Sequence, residues 1–393
     1  MLALGFAAAV TALLVLSRRN LALGLLAAAL GLGVFSLSPA SFGLALWHTV
    51  SDPSVLLLAG IVFTIPLIAG TLEVSGQMAN LVDQLRVGVR TFLMLSPALL
   101  GLMPMPGGAL LSAPLVERGA GHVPADVKAA ANVWFRHILL LVYPLSSSLI
   151  ASAKVAGLNV YATLPYLVIP FLGFLAVGSA FLLARVRGER VSRRPFSLRE
   201  LALPVTILLA APLIDLLVST FVRLPAREIS TAVGVVASLL LALRVGRVRI
   251  PALRAIVLQA KPWTYAAIVL AMFAFLNVFA ASGAPAWIAG MRLPPLALCV
   301  GGGLALGWIT GRIEAPMAVI LPIYVASAGS VSLPAFAVTY SAAFLGYVAT
   351  PVHPCVSVSI AYFGTSMGAF LRRVAPPTAI AAAATAIVGL FVL

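Results

Sequence analysis

Of the chain's 393 residues, 62% are apolar and only 9% carry charge, whereas a soluble domain is about a quarter charged. A mean hydropathy of +1.13 excludes a water-soluble fold, and apolar runs long enough to cross a roughly 30 Å hydrocarbon core recur from Leu2 to Leu393, leaving no soluble domain. The net charge of +15 does not imply a nucleic-acid partner, because the arginines fall in short connections between apolar spans, where they report topology in a lipid bilayer.

Apolar spans between Pro, Gly and charged punctuation predict ten full crossings, at about 2–16, 21–37, 54–72, 126–157, 160–184, 201–219, 229–244, 262–281, 334–363 and 375–393. The first has no basic residues before it and Arg18 and Arg19 after it, the reverse of a signal peptide, so it is expected to stay as a helix. The segment Glu73 to Arg90 mixes apolar and charged residues, as a helix lying along the cytoplasmic surface would. Basic residues concentrate between Arg185 and Arg199, with six Arg, and between Arg244 and Lys261, with four Arg and one Lys. With ten crossings these clusters and the pairs Arg18, Arg19 and Arg372, Arg373 share one side, which the positive-inside rule makes cytoplasmic. Both termini then face outward, in a prokaryotic inner membrane.

Two apolar stretches do not fit as simple crossings. Thr91 to Val116 is interrupted at Met103-Pro104-Met105-Pro106-Gly107-Gly108, and Pro294 to Val325 at Gly311-Arg312-Ile313-Glu314-Ala315-Pro316. Each half is too short to span, so both are predicted as re-entrant hairpins, tolerated only where they line protein or a cavity. Two crossings are also interrupted: 126–157 at Val142-Tyr143-Pro144-Leu145-Ser146-Ser147-Ser148, and 334–363 at Ala349-Thr350-Pro351-Val352-His353-Pro354. Proline removes an amide donor and pushes the preceding residue out of the helical region, so both helices should unwind in mid-membrane.

An internal repeat follows. An offset of 208 aligns Ala113-Pro114 with Leu321-Pro322 and Gly121 with Gly329; an offset of 206 aligns Gly101 with Gly307, and one of 210 aligns Tyr143-Pro144 with His353-Pro354. Together with the shared order of crossing, hairpin, broken helix and final crossing, this predicts an all-α membrane protein of two inverted repeats, each with five crossings and one hairpin. The first repeat is 1–184, with its hairpin at 91–116 and broken helix at 126–157. A basic cytoplasmic linker, 185–200, leads to the second repeat, 201–393, with its hairpin at 294–325 and broken helix at 334–363.

The stretch Gly101-Leu102-Met103-Pro104-Met105-Pro106-Gly107-Gly108-Ala109-Leu110-Leu111-Ser112-Ala113-Pro114 resembles the signature of an uncharacterised prokaryotic family of integral membrane proteins (domain of unknown function 401), grouped with the ion transporter superfamily. The resemblance implies a carrier of carboxylates or other anions coupled to sodium or protons, a homodimer, and a transport domain that moves against a scaffold. The dicarboxylate branch of that superfamily has Ser-Asn-Thr at its hairpin tips, where this chain has Pro-Gly-Gly and Arg-Ile-Glu.

If the hairpins and breaks meet at the midplane, half-helix N-termini offer free amides and partial positive charge to an anion, while freed carbonyls suit a sodium ion. The candidates are Pro106, Gly107, Gly108 and Ala109, where little side chain blocks the backbone, and the hydroxyls of Ser146, Ser147 and Ser148. In the second half they are Thr310, Gly311, Arg312, Glu314, Thr350 and His353. A sodium position is expected near Gly108, Ser146, Glu314 and Thr350. Each has a plainer reading: glycines as packing residues, hydroxyls bonded back to their own helix, and Arg312 paired with Glu314 or set in water at the hairpin tip. Arg136 and His137 read as structural, and Asp215, in an unbroken crossing, as a scaffold or dimer contact. Cys299 and Cys355 have no CxxC or Cys/His spacing and read as packing residues, not as a disulfide or a zinc site.

These features describe a secondary active transporter of a small anion, a carboxylate in the first instance, working by alternating access with sodium or protons as the coupling ion. A sodium/proton antiporter without organic substrate is the alternative. An intramembrane enzyme is more distant, because no HExxH, GxSxG with partners or paired catalytic aspartates is present.

Overall fold

The computed structural model describes residues 2–17, 19–102, 109–188 and 195–393, and all of their regular structure is helical. The order is α1 (Leu2–Leu16), α2 (Leu21–Ser36), α3 (Pro39–Ser51), α4 (Pro53–Val74), α5 (Gln77–Asp83), α6 (Val89–Gly101), α7 (Ala109–Ala120) and α8 (Ala125–Ile138), the last closed by a 3₁₀ turn, Leu139–Leu141. Then come α9 (Ser147–Val155) and α10 (Val160–Gly178), which a π-helical turn, Ser179–Leu183, prolongs. The chain continues with α11 (Leu198–Phe221), α12 (Glu228–Gly246), α13 (Ile250–Ala260), α14 (Trp263–Ala281) and α15 (Ala284–Gly290). A π-helical turn, Ala297–Gly302, runs into α16 (Gly303–Thr310), followed by α17 (Glu314–Ala328), α18 (Leu333–Ala349), α19 (Pro354–Phe363) and α20 (Met367–Val392).

Seven helical stretches among the described residues are long and apolar enough to cross a membrane: Pro53–Val74, Val160–Leu183, Leu198–Phe221, Glu228–Gly246, Trp263–Ala281, Leu333–Phe363 and Met367–Val392. They match seven of the ten expected crossings and make this a multi-pass membrane protein. The other three form as helices that fall short by length: α1 and α2 have 15 and 16 residues, and 126–157 is divided by its break into α8 and α9. Side chains on α11, α12 and α20, among them Leu213, Phe221, Leu240 and Phe391, are exposed on the outside, as a lipid-facing surface requires.

Sequence reading missed some of the short elements. The connection around 38–53 folds as α3 behind its Ser38 cap, and the basic stretch 244–261 contains α13, which ends where Lys261 turns left-handed at φ 45°. Of the expected surface helix at 73–90, Gln77–Asp83 forms a separate helix, while 73–74 close α4 and 89–90 open α6. The linker is shorter than expected, since Ser197 already caps α11.

Buried apolar residues form two main cores. One is built largely from α1, α2, α4, α5, α11, α12 and α14. The other joins α6, α7, α8, α10, α17, α18 and α20 with the breaks between them. Between helices, α2 packs on α14 and α12 on α4; α3 packs on α14 and α13 on α4; α7 packs on α19 and α17 on α9; α10 packs on α18 and α20 on α8.

Close backbone approach in the second core depends on missing side chains. A Cβ on Gly101 of α6 would stand 1.5 Å from the Arg136 carbonyl oxygen of α8, and one on Gly307 of α16 would stand 2.4 Å from the Ala343 carbonyl oxygen of α18. Gly346 answers from the other side, its Cβ position lying 2.3 Å from the Leu304 carbonyl oxygen. Small residues at helix seams allow such contact in a membrane, where apolar burial drives little association. Gly346→Ala should therefore destabilise the protein by about 1–3 kcal/mol through overpacking, whereas Gly60→Ala, with nothing within 4 Å of its Cβ position, should be neutral or stabilising. Thermal unfolding of the two variants in detergent tests this, and equal midpoints would refute it.

Candidate functional site

Two helix interruptions and the turn between α16 and α17, the expected tip of the second hairpin, come together where the two cores meet. After the 3₁₀ turn, the chain from Val142 to Ser146 is non-helical; Ser146 is extended at φ −60°, ψ 122°, and α9 starts at Ser147. In the other broken helix, α18 stops at Ala349, Thr350 and His353 are extended, and Pro354 opens α19. The predicted interruptions at Pro144 and Pro354 therefore form. Pro316 instead lies within the first turn of α17, where a proline costs the helix nothing.

The tip of the second hairpin closes on both breaks. Gly311 ends α16 in the left-handed region at φ 63°, and a Cβ there would stand 3.4 Å from the His353 amide nitrogen. Three residues later Glu314 opens α17, and its Oε1 accepts a 2.6 Å hydrogen bond from Ser148 Oγ in the first turn of α9. The N-termini of α9 and α17 thus face each other across a hydroxyl and a carboxylate. Arg312 is half-buried beside them and does not form the pair with Glu314 that the plainer reading gave: that pair is absent from the ion pairs of the described residues.

A matching junction joins α7 and α19. Ala109, the first residue of α7, is fully buried, and its amide lies against the Cys355 thiol at the start of α19. Arg136 of α8 reaches the same thiol. Around them, the rings of His137 and His353 lie 4.7 Å apart between centroids, and Tyr347 stands 5.0 Å from the first and 4.3 Å from the second. Arg136, Arg312, Glu314 and Cys355 are all near enough to the Tyr347 hydroxyl for their charges to interact with it.

Several polar atoms here are buried without a hydrogen-bond partner among the described residues: Asn132 Oδ1, Arg136 Nη1, Ser146 Oγ and His353 Nδ1. Native interiors leave few such atoms, and each marks a place where water, an ion or a ligand belongs. Arg136 is the most expensive, since it is only 4% exposed and a cation at membrane depth is costly without a counter-charge. Glu73 of α4 is near enough for their charges to interact, yet Glu73 Oε2 also lacks a partner, so the two do not form a hydrogen-bonded pair.

The remaining expected residues have different settings. Pro106, Gly107 and Gly108, and with Gly108 one corner of the expected sodium position, lie outside the described residues. Thr310 Oγ1 donates back to the Leu306 carbonyl at 2.7 Å. Thr350 Oγ1 donates to the Trp308 carbonyl and accepts from the Val352 amide, fastening the break to the hairpin. Ser147 is half-buried at the first position of α9. Asp215 lies apart from the breaks, where it accepts from Tyr161, Ser230 and Thr231 at 2.8, 2.6 and 3.0 Å.

Sequence reasoning set aside Arg136, His137 and Cys355, which the structure places with His353. Arg136 and His137 carried a usable signal, adjacent ionisable residues inside an apolar span; Cys355 carried none. The ligand atoms of His137, His353 and Cys355 lie within 4.8 Å of one another, a set that could hold a soft metal ion by donor type alone. The adjacent Arg136 guanidinium opposes a cation there and favours an anion.

The fold is that of a polytopic helical membrane protein with interrupted helices buried where its two cores meet. Over residues 1–392 the chain matches the family described as Protein of unknown function (DUF401), and it belongs to that family. No curated protein matches it. Among solved structures it is similar to the YdaH transporter of Alcanivorax borkumensis, described as having an unusual topology, with 15% identity, a TM-score of 0.61, and coverage of 93% of this chain and 95% of that one. At that identity the likeness concerns the fold.

Ser148→Ala removes the donor that Glu314 uses and should cost about 1–3 kcal/mol. Ser152→Ala, on the same helix, removes a buried hydroxyl that already has no partner and should be neutral or stabilising. Unfolding midpoints of the two single variants decide the matter; a smaller loss for Ser148→Ala than for Ser152→Ala would contradict this geometry.

Proposed function

We propose that the chain is a secondary active transporter of a small anion, with a carboxylate as the first class to test, and that it works by alternating access with sodium or protons as the coupling ion. The observation that carries this reading is the junction of α7 and α19 N-termini beside Arg136, a buried guanidinium with a free Nη1. Half-helix N-termini pointed at an unpaired buried cation make an anion-selective environment inside a membrane. Glu314 and Ser148 at the opposite junction, with the freed backbone near Ser146 and Thr350, are the matching place for the coupling ion.

In this reading the architecture is an inverted repeat with re-entrant hairpins, and the order and packing of the helices support it. Helices α1 to α10 and α11 to α20 form two series in the same order, and the packing is reciprocal: α2 on α14 answers α12 on α4, α7 on α19 answers α17 on α9, and α10 on α18 answers α20 on α8. The aligned glycines Gly101 and Gly307 make equivalent close approaches to α8 and α18. In this reading 1–184 and 201–393 are the repeats, α6 with α7 and α16 with α17 are the hairpins, and the basic end of the molecule is cytoplasmic. The core that holds α8 and α18 serves as the moving body and the other core as its scaffold, with a homodimer completing the assembly.

The test is a thermal-shift screen of the purified protein against carboxylates, sugar acids and inorganic oxyanions, with and without sodium, followed by uptake into proteoliposomes. An anion that stabilises the wild type should lose its effect in Arg136→Gln, and uptake should fall at least about a hundredfold, the rate equivalent of roughly 3 kcal/mol for a buried charge contact. In Glu314→Gln, anion stabilisation should survive while its dependence on sodium or pH changes. If sodium or pH stabilises the protein and no anion does, the anion reading fails and the antiporter stands.

A further inference from the structure

A cavity of about 760 Å³ opens at the end of the molecule where α10 finishes and α20 begins. Arg185, Arg187, Arg372 and Arg373 line it, as do apolar side chains including Phe181 and Pro376. The chain leaving α10 is fixed in place: Arg90 Nε donates to the Val186 carbonyl at 2.5 Å and Arg90 Nη2 to the Ala184 carbonyl at 2.6 Å, while His122 Nε2 and the Arg187 carbonyl lie 3.0 Å apart. Asp126 of α8 accepts from Arg373 Nε at 2.7 Å. Arg185, Arg187 and Arg372 have no carboxylate partner among the described residues.

We infer that this cavity is a binding site for the headgroup phosphate of an anionic phospholipid. Three arginines without a carboxylate partner among the described residues line one opening, and the planar fork of a guanidinium matches the oxygens of a phosphate. The opening sits at the end of two membrane-crossing helices, the depth at which headgroups lie. Phe181 on the π-helical turn that prolongs α10 and Ile380 on α20, both exposed, offer an apolar path for the acyl chains. Basic pockets between crossings at this depth recognise anionic headgroups. A soluble phosphate would satisfy the arginines but gain nothing from the apolar wall, which favours the lipid. The inference does not depend on the transport reading.

The delipidated full-length protein in detergent is titrated with phosphatidylglycerol, with phosphatidylcholine and with inorganic phosphate, reading the unfolding temperature. Phosphatidylglycerol should stabilise the wild type and Arg254→Gln, an arginine of α13 outside the cavity, while the double variant Arg187→Gln/Arg372→Gln should need roughly tenfold more lipid. Equal stabilisation by phosphatidylcholine or by free phosphate overturns the inference, as does a double variant that responds like the wild type. Should the double variant not fold, native mass spectrometry of the wild type from mixed micelles decides: retained phosphatidylglycerol in preference to phosphatidylcholine supports the site, and no preference ends it.

Discussion

In hydrocarbon no water is available to bond an exposed amide or carbonyl, so every interruption of a helix must be satisfied by protein or open to a wet cavity. That constraint governs the breaks where the two cores meet. At the first break, the Ser146 amide bonds to the Tyr143 carbonyl at 2.9 Å and the Tyr340 hydroxyl covers the Leu140 carbonyl at 3.2 Å. At the second, Thr350 does the equivalent work with the Trp308 carbonyl and the Val352 amide. Tyr340 belongs to one broken helix and covers the other; Trp308 belongs to the hairpin that covers its neighbour. Each break is thus covered by residues of the other interrupted segments, and the breaks lie where the two cores meet, with Leu145, Ile150 and Ala315 in the core of α4, α12 and α14 and Leu141, Ile313 and Val348 in the other.

Once the backbone is satisfied, what stays unsatisfied is informative. The partnerless atoms beside the breaks are side-chain groups of Asn132, Arg136, Ser146 and His353, held by helices that glycines allow to approach closely. Gly101 is the clearest case, since its contact is the carbonyl of Arg136 itself. The packing that seals the backbone also fixes the position of the buried cation. Fold and site are therefore not separable here: widening the α6 to α8 seam would move Arg136 together with the helix that carries it.

Most of the fold was legible because membrane depth leaves a strong mark on composition. Seven apolar spans, the interruptions at Pro144 and Pro354 and the turn at Gly311 follow from hydropathy, proline and glycine alone. Helices α3, α13 and α15 did not, because 7 to 13 residues lie below the length that hydropathy resolves. Of the candidate site, Ser148, Glu314, Gly311 and His353 were found as residues at breaks, but their partners were not. That Glu314 meets Ser148, 166 positions away, and not its neighbour Arg312 is a property of how the helices cross. Cys355 read as packing because its companion His137 is distant in sequence.

The placement of opposite charges bears on coupling. Glu314 with Ser148 stands at one junction of facing N-termini, and Arg136 with Cys355 and Ala109 at the other. On the proposed reading, a body carrying an unmatched guanidinium and a carboxylate is costly to move through a low-dielectric interface in any state that leaves either charge uncompensated. An anion at Arg136 removes one obstacle, and a cation at Glu314 removes the other. Either alone leaves the moving body with a net unmatched charge, so loading both is the low-cost path. Coupled transport would then arise from the spacing of two charge sites on one rigid core, without a separate gate to enforce it.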